Sequence, residues 1–285
     1  MKVMVTGATG QLGSMIVEAL LKTIPAYNLA VSVRDPQKAE GLKALGVEVR
    51  KGDFKQPETL RSTFAEIDRL LIVSSGDMEH RVEQHLAAIK AVQEANVGFI
   101  AYTSVVNASE SSFILANDHR LTEEAIRNTR IPYSFLRNNW YVENETASIQ
   151  AVLQGAPWLT SAGAGKVGWA SRRDYAEAAA SVLGGEDHHN TIYELSGKPR
   201  TQEEFATILA EVSGKEVAVQ QVDDETYAKI MVGAGVPEAL VPFLVTIQGG
   251  IREGALDIES NDFEILLGRP NTPLQEVIHQ IVNKK

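Results

Sequence analysis

Residues 3–13 of the chain read VMVTGATGQLG, a short apolar run followed by glycines at positions 7, 10 and 13. The β-branched run predicts a buried strand, and the amphipathic segment after it predicts a helix. Glycines at such a strand–helix junction permit a tight turn, close approach of the backbone to a pyrophosphate, and close helix–sheet packing. The stretch therefore predicts a dinucleotide-binding loop whose first-turn amides face the phosphates. The alternative is an ordinary strand–helix turn.

The same alternation of strand and helix continues to about residue 137. Short apolar strands that alternate with helices are typical of βαβ units, whose parallel sheet is covered on both faces. The sequence thus predicts a Rossmann-like, doubly wound parallel α/β sheet. Further strands are predicted at 29–33, 47–50, 69–73, 99–103 and 133–136, with helices near 12–21, 36–45, 57–66, 79–95 and 119–129.

The pattern changes after Trp140, where helical patterns dominate. Helices are predicted near 142–154, 173–183, 201–212, 223–232 and 237–248, with short strands at 191–195 and 216–220. We expect residues 1–150 to form the NADP-binding Rossmann domain. Residues 151–285 are expected to form mainly a smaller mixed α/β domain that caps the substrate, with some segments returning to the Rossmann core.

Composition and charge exclude several classes of protein. The 285 residues hold 27 Lys and Arg against 37 Asp and Glu, a net charge of −10, so no nucleic-acid partner is expected. The chain has no cysteine, which fits a reducing compartment. No apolar run reaches the ~18 residues of a membrane span, and the first residues do not resemble a signal peptide. We expect a cytoplasmic protein with no membrane partner, and the sequence leaves its oligomeric state open.

The residues after the second predicted strand favour NADP over NAD. An NAD enzyme usually places a carboxylate there for the ribose hydroxyls. This chain has Val33-Arg34-Asp35-Pro36, in which Pro36 suits the first helical position and Asp35 the N-cap. That leaves Arg34 to bind a 2′-phosphate with its planar guanidinium group. The alternative is a solvated surface arginine.

Three other loops follow predicted strands and meet at the same sheet edge, where ligands bind in open parallel sheets. Asp53, after the third strand, is a candidate acceptor for the adenine amine. Small residues after the fourth and fifth strands allow close approach to ribose and nicotinamide; they are Ser74, Ser75, Gly76 and Thr103. Each of these residues alone suits a helix cap or turn. No second loop suits FMN or FAD, so no flavin is expected.

Four motifs together give a resemblance to a known family: VTGATGQLG at 5–13, AYTS at 101–104, LRNNWYVEN at 136–144 and RDYA at 173–176. The chain resembles the NmrA-like group of atypical short-chain dehydrogenase/reductases, and within it the bacterial NAD(P)H:quinone oxidoreductases. The resemblance implies an NADPH-binding oxidoreductase with a quinone-type substrate. It also implies that NADPH contacts Gly7, Ala8, Thr9, Gly10, Gln11, Leu12, Arg34, Ser74, Ser75, Gly76, Asn138, Asn139, Trp140, Tyr141, Val142 and Glu143.

Asn139 departs from the family pattern, which has glycine at that position. We expect its side chain to narrow the nicotinamide pocket. Trp140, Trp158 and Trp169 lie close together in the sequence and suggest an aromatic slot for a flat acceptor, although core packing explains Trp158 as well.

The catalytic residues stay unassigned, because no tyrosine is followed four residues later by the lysine of a typical short-chain dehydrogenase. His119, with Glu123 four residues later, is the weak candidate for proton delivery; a surface or helix-start role is the favoured alternative. The other histidines have no metal-ligand spacing. A quinone needs less help, because its oxyanion is delocalised and positioning can suffice.

Three functions therefore remain open on the sequence alone. The favoured one is hydride transfer from NADPH to a quinone-type acceptor without an essential side-chain acid. The alternatives are a non-catalytic NADP(H) sensor that binds a partner protein, and a reductase of another conjugated carbonyl compound.

We expect Arg34→Ala to lower the affinity for NADPH about 10- to 150-fold, because it removes a charge-assisted hydrogen bond worth about 1.5–3 kcal/mol. The affinity for NADH, which lacks the 2′-phosphate, should change little. Titration of wild type and variant with both cofactors at fixed salt measures the effect. Asp35→Asn is the control, since asparagine also caps helices well. Equal losses for both cofactors would make Arg34 structural, and a wild-type preference for NADH would contradict the assignment.

Overall fold

The computed structural model describes residues 1–283. A seven-stranded parallel sheet forms its centre, in the order β3-β2-β1-β4-β5-β6-β8. The strand order reverses between β1 and β4, and at such a point the carboxyl ends of the strands open a crevice for a ligand. The strands are β1 (Val3–Thr6), β2 (Leu29–Val33), β3 (Glu48–Lys51), β4 (Arg69–Ile72), β5 (Phe99–Val105), β6 (Tyr133–Asn138), β7 (Trp158–Thr160), β8 (Thr191–Leu195) and β9 (Val219–Gln221).

Helices cover both faces of this sheet, as the apolar strands require. Strands β1, β2, β4 and β5 are buried at every position. One face packs against α1, α7 and α11, and the other against α3, α4 and α5. The helices are α1 (Gln11–Leu20), α2 (Glu40–Ala44), α3 (Leu60–Phe64), α4 (Arg81–Glu94), α5 (Ala116–Asn128), α6 (Thr146–Leu153), α7 (Arg172–Gly184), α8 (Gln202–Ser213), α9 (Asp224–Gly233), α10 (Val241–Arg252), α11 (Asp262–Leu267) and α12 (Leu274–Val282).

A second, smaller unit is built around the parallel pair of β7 and β9. Helices α6, α8, α10 and α12 supply its apolar core, in which Trp158 stacks on Phe205. The later part of the chain also contributes to the main sheet, since β8 pairs with β6 and α7 packs against α1. The predicted fold class is therefore confirmed, whereas the division at residue 150 stays a prediction.

Several predicted elements need correction. The helices expected at 36–45 and 57–66 each begin as a 3₁₀ turn whose first residue is a proline, and each continues for only five α-helical residues. The strand expected at 216–220 is β9, at Val219–Gln221. Strand β7 and helices α11 and α12 were not predicted: three residues of strand and six of helix are too short for a periodic signal, and α12 follows a proline-rich loop.

We expect Gly13→Ala to lower the free energy of unfolding by about 1–3 kcal/mol, the usual cost of overpacking. A Cβ at this position would lie 2.2 Å from the carbonyl oxygen of Gly7, and no rotamer relieves a backbone contact. Gly41→Ala in α2 is the matched control, because a Cβ at this position would meet nothing within 4 Å. This variant should raise the free energy of unfolding by about 0.5–1 kcal/mol, since alanine favours the helix more than glycine does. Urea unfolding followed by circular dichroism measures both changes. A neutral Gly13→Ala variant would contradict this packing.

Candidate functional site

The glycine turn between β1 and α1 forms a cradle of backbone amides. Gly7 has φ +61°, in the left-handed region that favours glycine, and its carbonyl accepts a hydrogen bond from the Gly10 amide at 2.9 Å. Gly13 lets the helix approach this turn closely. The first turn of α1 contains no acidic side chain, so the positive end of the helix dipole is left free for an anion. The cradle fits a pyrophosphate group.

Two threonines hold the neighbouring loop in place beside this cradle. Thr6 Oγ1, at the end of β1, accepts a hydrogen bond from the Val73 amide at 3.0 Å. Thr103 Oγ1, on β5, accepts one from the Ser74 amide at 2.8 Å. The loop after β4 is therefore hydrogen-bonded to the ends of both β1 and β5, and it forms part of the wall of the ligand crevice.

A cleft of about 810 Å³ runs along these strand ends. It brings together all but three of the predicted cofactor-binding residues: Gly7, Thr9, Gly10, Gln11, Leu12, Arg34, Asp53, Ser74, Ser75, Gly76, Thr103, Asn138, Asn139, Trp140 and Tyr141. The three that do not line it are Ala8 and Val142, which are buried behind its wall, and Glu143. The Glu143 carboxylate instead accepts a hydrogen bond from the Arg172 amide at 3.0 Å.

One end of the cleft is positively charged. Arg34 and Lys38 lie on its wall, and no ion pair within residues 1–283 involves either of them. Asp35 caps the following turn, because its Oδ1 accepts from the Gln37 amide at 3.1 Å. This geometry fits the predicted division of roles between Arg34 and Asp35. Lys38 was missed, although it follows Arg34 by one helical turn in the sequence.

The other end of the cleft, at the ends of β5 and β6, holds an unpaired amide oxygen. Asn138 Nδ2 donates to the Tyr141 hydroxyl at 3.1 Å, whereas Asn138 Oδ1 is buried without a partner among the described residues. A buried acceptor left unpaired is costly, and a ligand N–H group would satisfy it. Burial raises the pKa of Tyr141, so its phenol stays protonated.

Asn139 lines the cleft, and its side chain is held by hydrogen bonds within the protein. Its Nδ2 donates to Ser196 Oγ and to the Leu256 carbonyl, each at 3.0 Å, and its Oδ1 accepts from the Trp140 amide at 2.8 Å. The expectation that this side chain narrows the nicotinamide pocket stays a prediction. Asn139 ties the end of β6 to the loop after α10, and Leu256 of that loop reaches the cleft wall.

Beneath the cleft, an ionic network occupies the interior. Arg137 on β6 donates from Nε and Nη2 to the Glu123 carboxylate at 2.9 and 2.7 Å, and from Nη1 to Glu194 at 2.8 Å. Burial lowers the pKa of Arg137, but the hydrogen bonds that it donates to Glu123 and Glu194 raise this pKa overall. Ser104 Oγ on the cleft wall donates to Glu123 Oε1 at 2.7 Å. Glu123 is therefore a structural counter-ion, and Ser104 can only accept a hydrogen bond from a ligand.

His119 lies at the start of a helix, as one form of the favoured alternative has it, but it does not lie on the protein surface. It sits in the first turn of α5, is 6% exposed and lines the cleft. Its Nδ1 lies 2.7 Å from the Tyr102 hydroxyl. Burial, helped by the positive charge of Arg81, lowers the pKa of His119 to about 3. The imidazole is therefore neutral at physiological pH, and a protonated histidine acid is not available here.

The expectation that three tryptophans form a slot for the acceptor is wrong, since only Trp140 of the three lines the cleft. Trp158 lies in the core of the smaller unit, as its alternative interpretation proposed, and its Nε1 donates to Gln202 at 2.9 Å. Trp169 is buried, and its Nε1 donates to Glu145 at 3.1 Å.

Besides Lys38, the cleft residues that escaped the sequence analysis include Arg81, Arg172 and Leu256. Arg81 could have been singled out from the sequence, because a cation in the first turn of a helix is unfavourable with respect to the helix dipole. Its presence there indicates another role. No sequence pattern identifies Arg172 or Leu256 as cleft residues, since only the folded chain brings them to the strand ends.

Within residues 1–283, no helix is both long and apolar enough to cross a membrane. The same residues contain no group of three or more His, Cys, Asp or Glu side chains arranged to hold a metal ion.

Comparison with known proteins places this dinucleotide-binding α/β protein in a family. Residues 1–253 match the NmrA-like family, and the chain belongs to it. Quinone oxidoreductase 2 of Escherichia coli (strain K12) is 38% identical over 280 residues, 98% of either chain. The resemblance drawn from the sequence is therefore confirmed, and the chain is an oxidoreductase of this family.

Two solved structures carry a cofactor in the same fold. Citrobacter sp. triphenylmethane reductase complexed with NADP(H) has a TM-score of 0.94 and 41% identity, covering 99% of this chain and 100% of that one. The NADPH-dependent quinone oxidoreductase from Escherichia coli complexed with NADPH has a TM-score of 0.95 and 38% identity, with the same coverage. Both relatives bind the cofactor class that the sequence predicts for this chain.

We expect Glu123→Ala to lower the free energy of unfolding by about 3–5 kcal/mol, because it leaves the buried Arg137 guanidinium without its main counter-ion. Glu124→Ala, at the neighbouring exposed position of α5, is the matched control and should stay within about 0.5 kcal/mol of wild type. Thermal or urea unfolding of both variants measures the difference. Similar values for the two would show that the network contributes little to stability.

Proposed function

We propose that this protein is an NADPH-dependent oxidoreductase that transfers a hydride to a quinone-type acceptor. The observation that carries the proposal is one continuous cleft at the strand ends. It joins the Arg34–Lys38 cations, the Gly7 cradle and the unpaired Asn138 oxygen. These features follow the order of a dinucleotide's parts: 2′-phosphate, pyrophosphate and carboxamide. The full-length similarity to a quinone oxidoreductase supports the acceptor class.

The cleft offers a partner for each part of NADPH. Amides of residues 7–12 would hold the pyrophosphate, and Arg34 with Lys38 the 2′-phosphate. Asp53 would accept from the adenine amine, and the loop 74–76 with Thr103 would adjoin the ribose and nicotinamide. Asn138 Oδ1 would accept a hydrogen bond from the carboxamide. We restrict the predicted cofactor contacts at 138–143 to residues 138–141, and assign Ala8, Val142 and Glu143 to their support, since these three do not line the cleft.

The acceptor side of the cleft suits a flat, conjugated molecule. NADPH, when bound, supplies the hydride. The walls near the end of β6 are Trp140, Leu115 and Leu256, which offer apolar contact and exclude water. No tyrosine–lysine acid pair exists in the sequence, and a quinone does not require one because its oxyanion is delocalised. The division of the chain at about residue 150, with the later part capping the substrate, belongs to this same proposal.

The direct test is NADPH consumption by purified protein with a panel of benzoquinones and naphthoquinones. We expect turnover without added flavin and a colourless preparation. Mixtures lacking acceptor are the control, and a triarylmethane dye and an enone serve as competing acceptors. Arg34→Ala should raise KM for NADPH while leaving the order of acceptors unchanged.

Other outcomes would favour a different function. Tight NADPH binding with no turnover of any acceptor would point to the sensor hypothesis. Preference for the enone would point to another conjugated substrate. A yellow preparation with stoichiometric flavin would contradict direct transfer from NADPH.

A further inference from the structure

A chain of buried hydrogen bonds runs beneath the acceptor end of the cleft. We call it the imidazole relay; its members are Ser75, His85, Thr122, Tyr102 and His119. Its ends both reach the cleft wall, through the loop after β4 and through the first turn of α5. The relay crosses from α4 to β5 to α5, so none of its bonds follows from local secondary structure. Its donors and acceptors fix the protonation of both histidines.

The state of His85 follows from its partners. The Ser75 amide donates to Nε2 at 2.9 Å, so Nε2 carries a lone pair and the ring is neutral, with its proton on Nδ1. Thr122 Oγ1, 3.0 Å from Nδ1, gives its own hydrogen to the Asp118 carbonyl at 2.8 Å and therefore accepts from Nδ1. His85 thus has no free lone pair to accept a hydrogen bond from Tyr102.

Among the described residues, the Tyr102 hydroxyl consequently has one acceptor for its hydrogen within 3.5 Å. It lies 3.4 Å from His85 Nδ1, which is protonated, and 2.7 Å from His119 Nδ1. Tyr102 is fully buried, and burial raises its pKa, so the hydroxyl keeps its proton. Tyr102 therefore donates to His119 Nδ1. A neutral His119 that accepts on Nδ1 carries its own proton on Nε2.

Nε2 of His119 is not fully buried, and its N–H group is therefore open to the cleft that this residue lines. Among the described residues the ring makes a single hydrogen bond, through Nδ1, and the residue lines the cleft beside Ser104 and Leu115. The nearest charges are already paired, since Asp118 Oδ2 lies 3.5 Å from Nη1 of Arg81. An N–H donor therefore faces the end of the cleft where β5 and β6 terminate.

We propose that His119 is a catalytic hydrogen-bond donor, whose Nε2–H binds an acceptor oxygen and stabilises the negative charge that hydride addition places there. The proposal rests on the proposed function. The hydride brings both electrons and one hydrogen to the acceptor, NADPH becomes NADP⁺, and the acceptor oxygen becomes an anion. Water supplies the proton that completes the quinol. His119 keeps its proton throughout, because neutral imidazole is a far weaker acid than a phenol, and acts by electrostatics alone.

The relay also determines the pH dependence. The titratable or charged groups around the ring are Arg81 and His85 of α4, Tyr102 of β5 and Asp118 of α5. The pKa of His119 is lowered to about 3, so the neutral donor is present throughout the range from about pH 5 to 8. We expect kcat to show no histidine ionisation in that range.

The first experiment reads the tautomer without any turnover. Long-range ¹H–¹⁵N spectra of ¹⁵N-histidine-labelled protein distinguish protonated from unprotonated ring nitrogens, and His119→Gln assigns the signal. We expect Nε2–H in wild type, with and without NADP⁺, from pH 6 to 8. Tyr102→Phe removes the hydrogen bond to Nδ1 and should give a mixture of tautomers. A charged ring, or a proton on Nδ1 in wild type, would overturn the proposal.

The second experiment measures transfer to benzoquinone. We expect His119→Ala to lower kcat about 10- to 100-fold, as for the loss of one donor to a developing anion, with the NADPH dissociation constant within about twofold of wild type. His119→Gln keeps an N–H donor and should recover most of the loss. His279→Gln, at an exposed position of α12, is the matched control and should match wild type.

The outcomes separate the two proposals. Wild-type protein that reduces no quinone contradicts the proposed function, even if the spectra show the Nε2–H tautomer. Wild-type turnover with an unchanged kcat in His119→Ala contradicts the role of His119 alone. A Gln variant as impaired as the Ala variant, although folded and binding NADPH normally, contradicts hydrogen-bond donation. If His119→Ala does not fold, the tautomer spectra and the Gln variant still decide.

Discussion

The close contact between the start of α1 and the turn after β1 is the constraint on which the rest of this structure depends. A Cβ on Gly13 would lie 2.2 Å from the Gly7 carbonyl, so only glycine lets the helix sit this low over the sheet. That approach points the first helical amides along the strand ends and places the helix dipole at the middle of the cleft. Thr6 and Thr103 then fix the neighbouring loop against the same edge. The positions of the positively charged end of the cleft, of the amide cradle and of the end near β5 and β6 all follow from this one alignment.

Local signals were sufficient to predict the sheet and to bring Arg34 to the positively charged end of the cleft. The strands at 3–6, 29–33 and 191–195 lie where the apolar runs placed them. Asp35 caps its turn as the adjacent proline suggested, which leaves Arg34 free. Such features depend on residues close in sequence, so propensity and capping rules are enough. The acceptor end depends on contacts between distant residues, as when Asn139 reaches the Leu256 carbonyl, and no local pattern carries that information.

His119 and Glu123 show why spacing alone could not assign roles on α5. They lie one helical turn apart, the spacing that a tyrosine and a lysine have in a typical short-chain dehydrogenase. The structure separates them: Glu123 faces the Arg137 guanidinium in the interior, and His119 faces the Tyr102 hydroxyl and the cleft. A buried carboxylate without a partner would be very costly in free energy, so Glu123 must stay paired with Arg137. His119 tolerates the same depth only because it is neutral.

Neutrality also suits the kind of chemistry this cleft can perform. A protonated histidine this deeply buried beside Arg81 would meet both a desolvation cost and a like charge. The same burial strengthens a fixed N–H dipole directed at an oxygen on which charge develops. The fold therefore favours electrostatic stabilisation over proton transfer at this position. Acceptors whose reduced oxygen stays anionic until water protonates it need nothing more, which is why the missing tyrosine–lysine pair is compatible with a reductase.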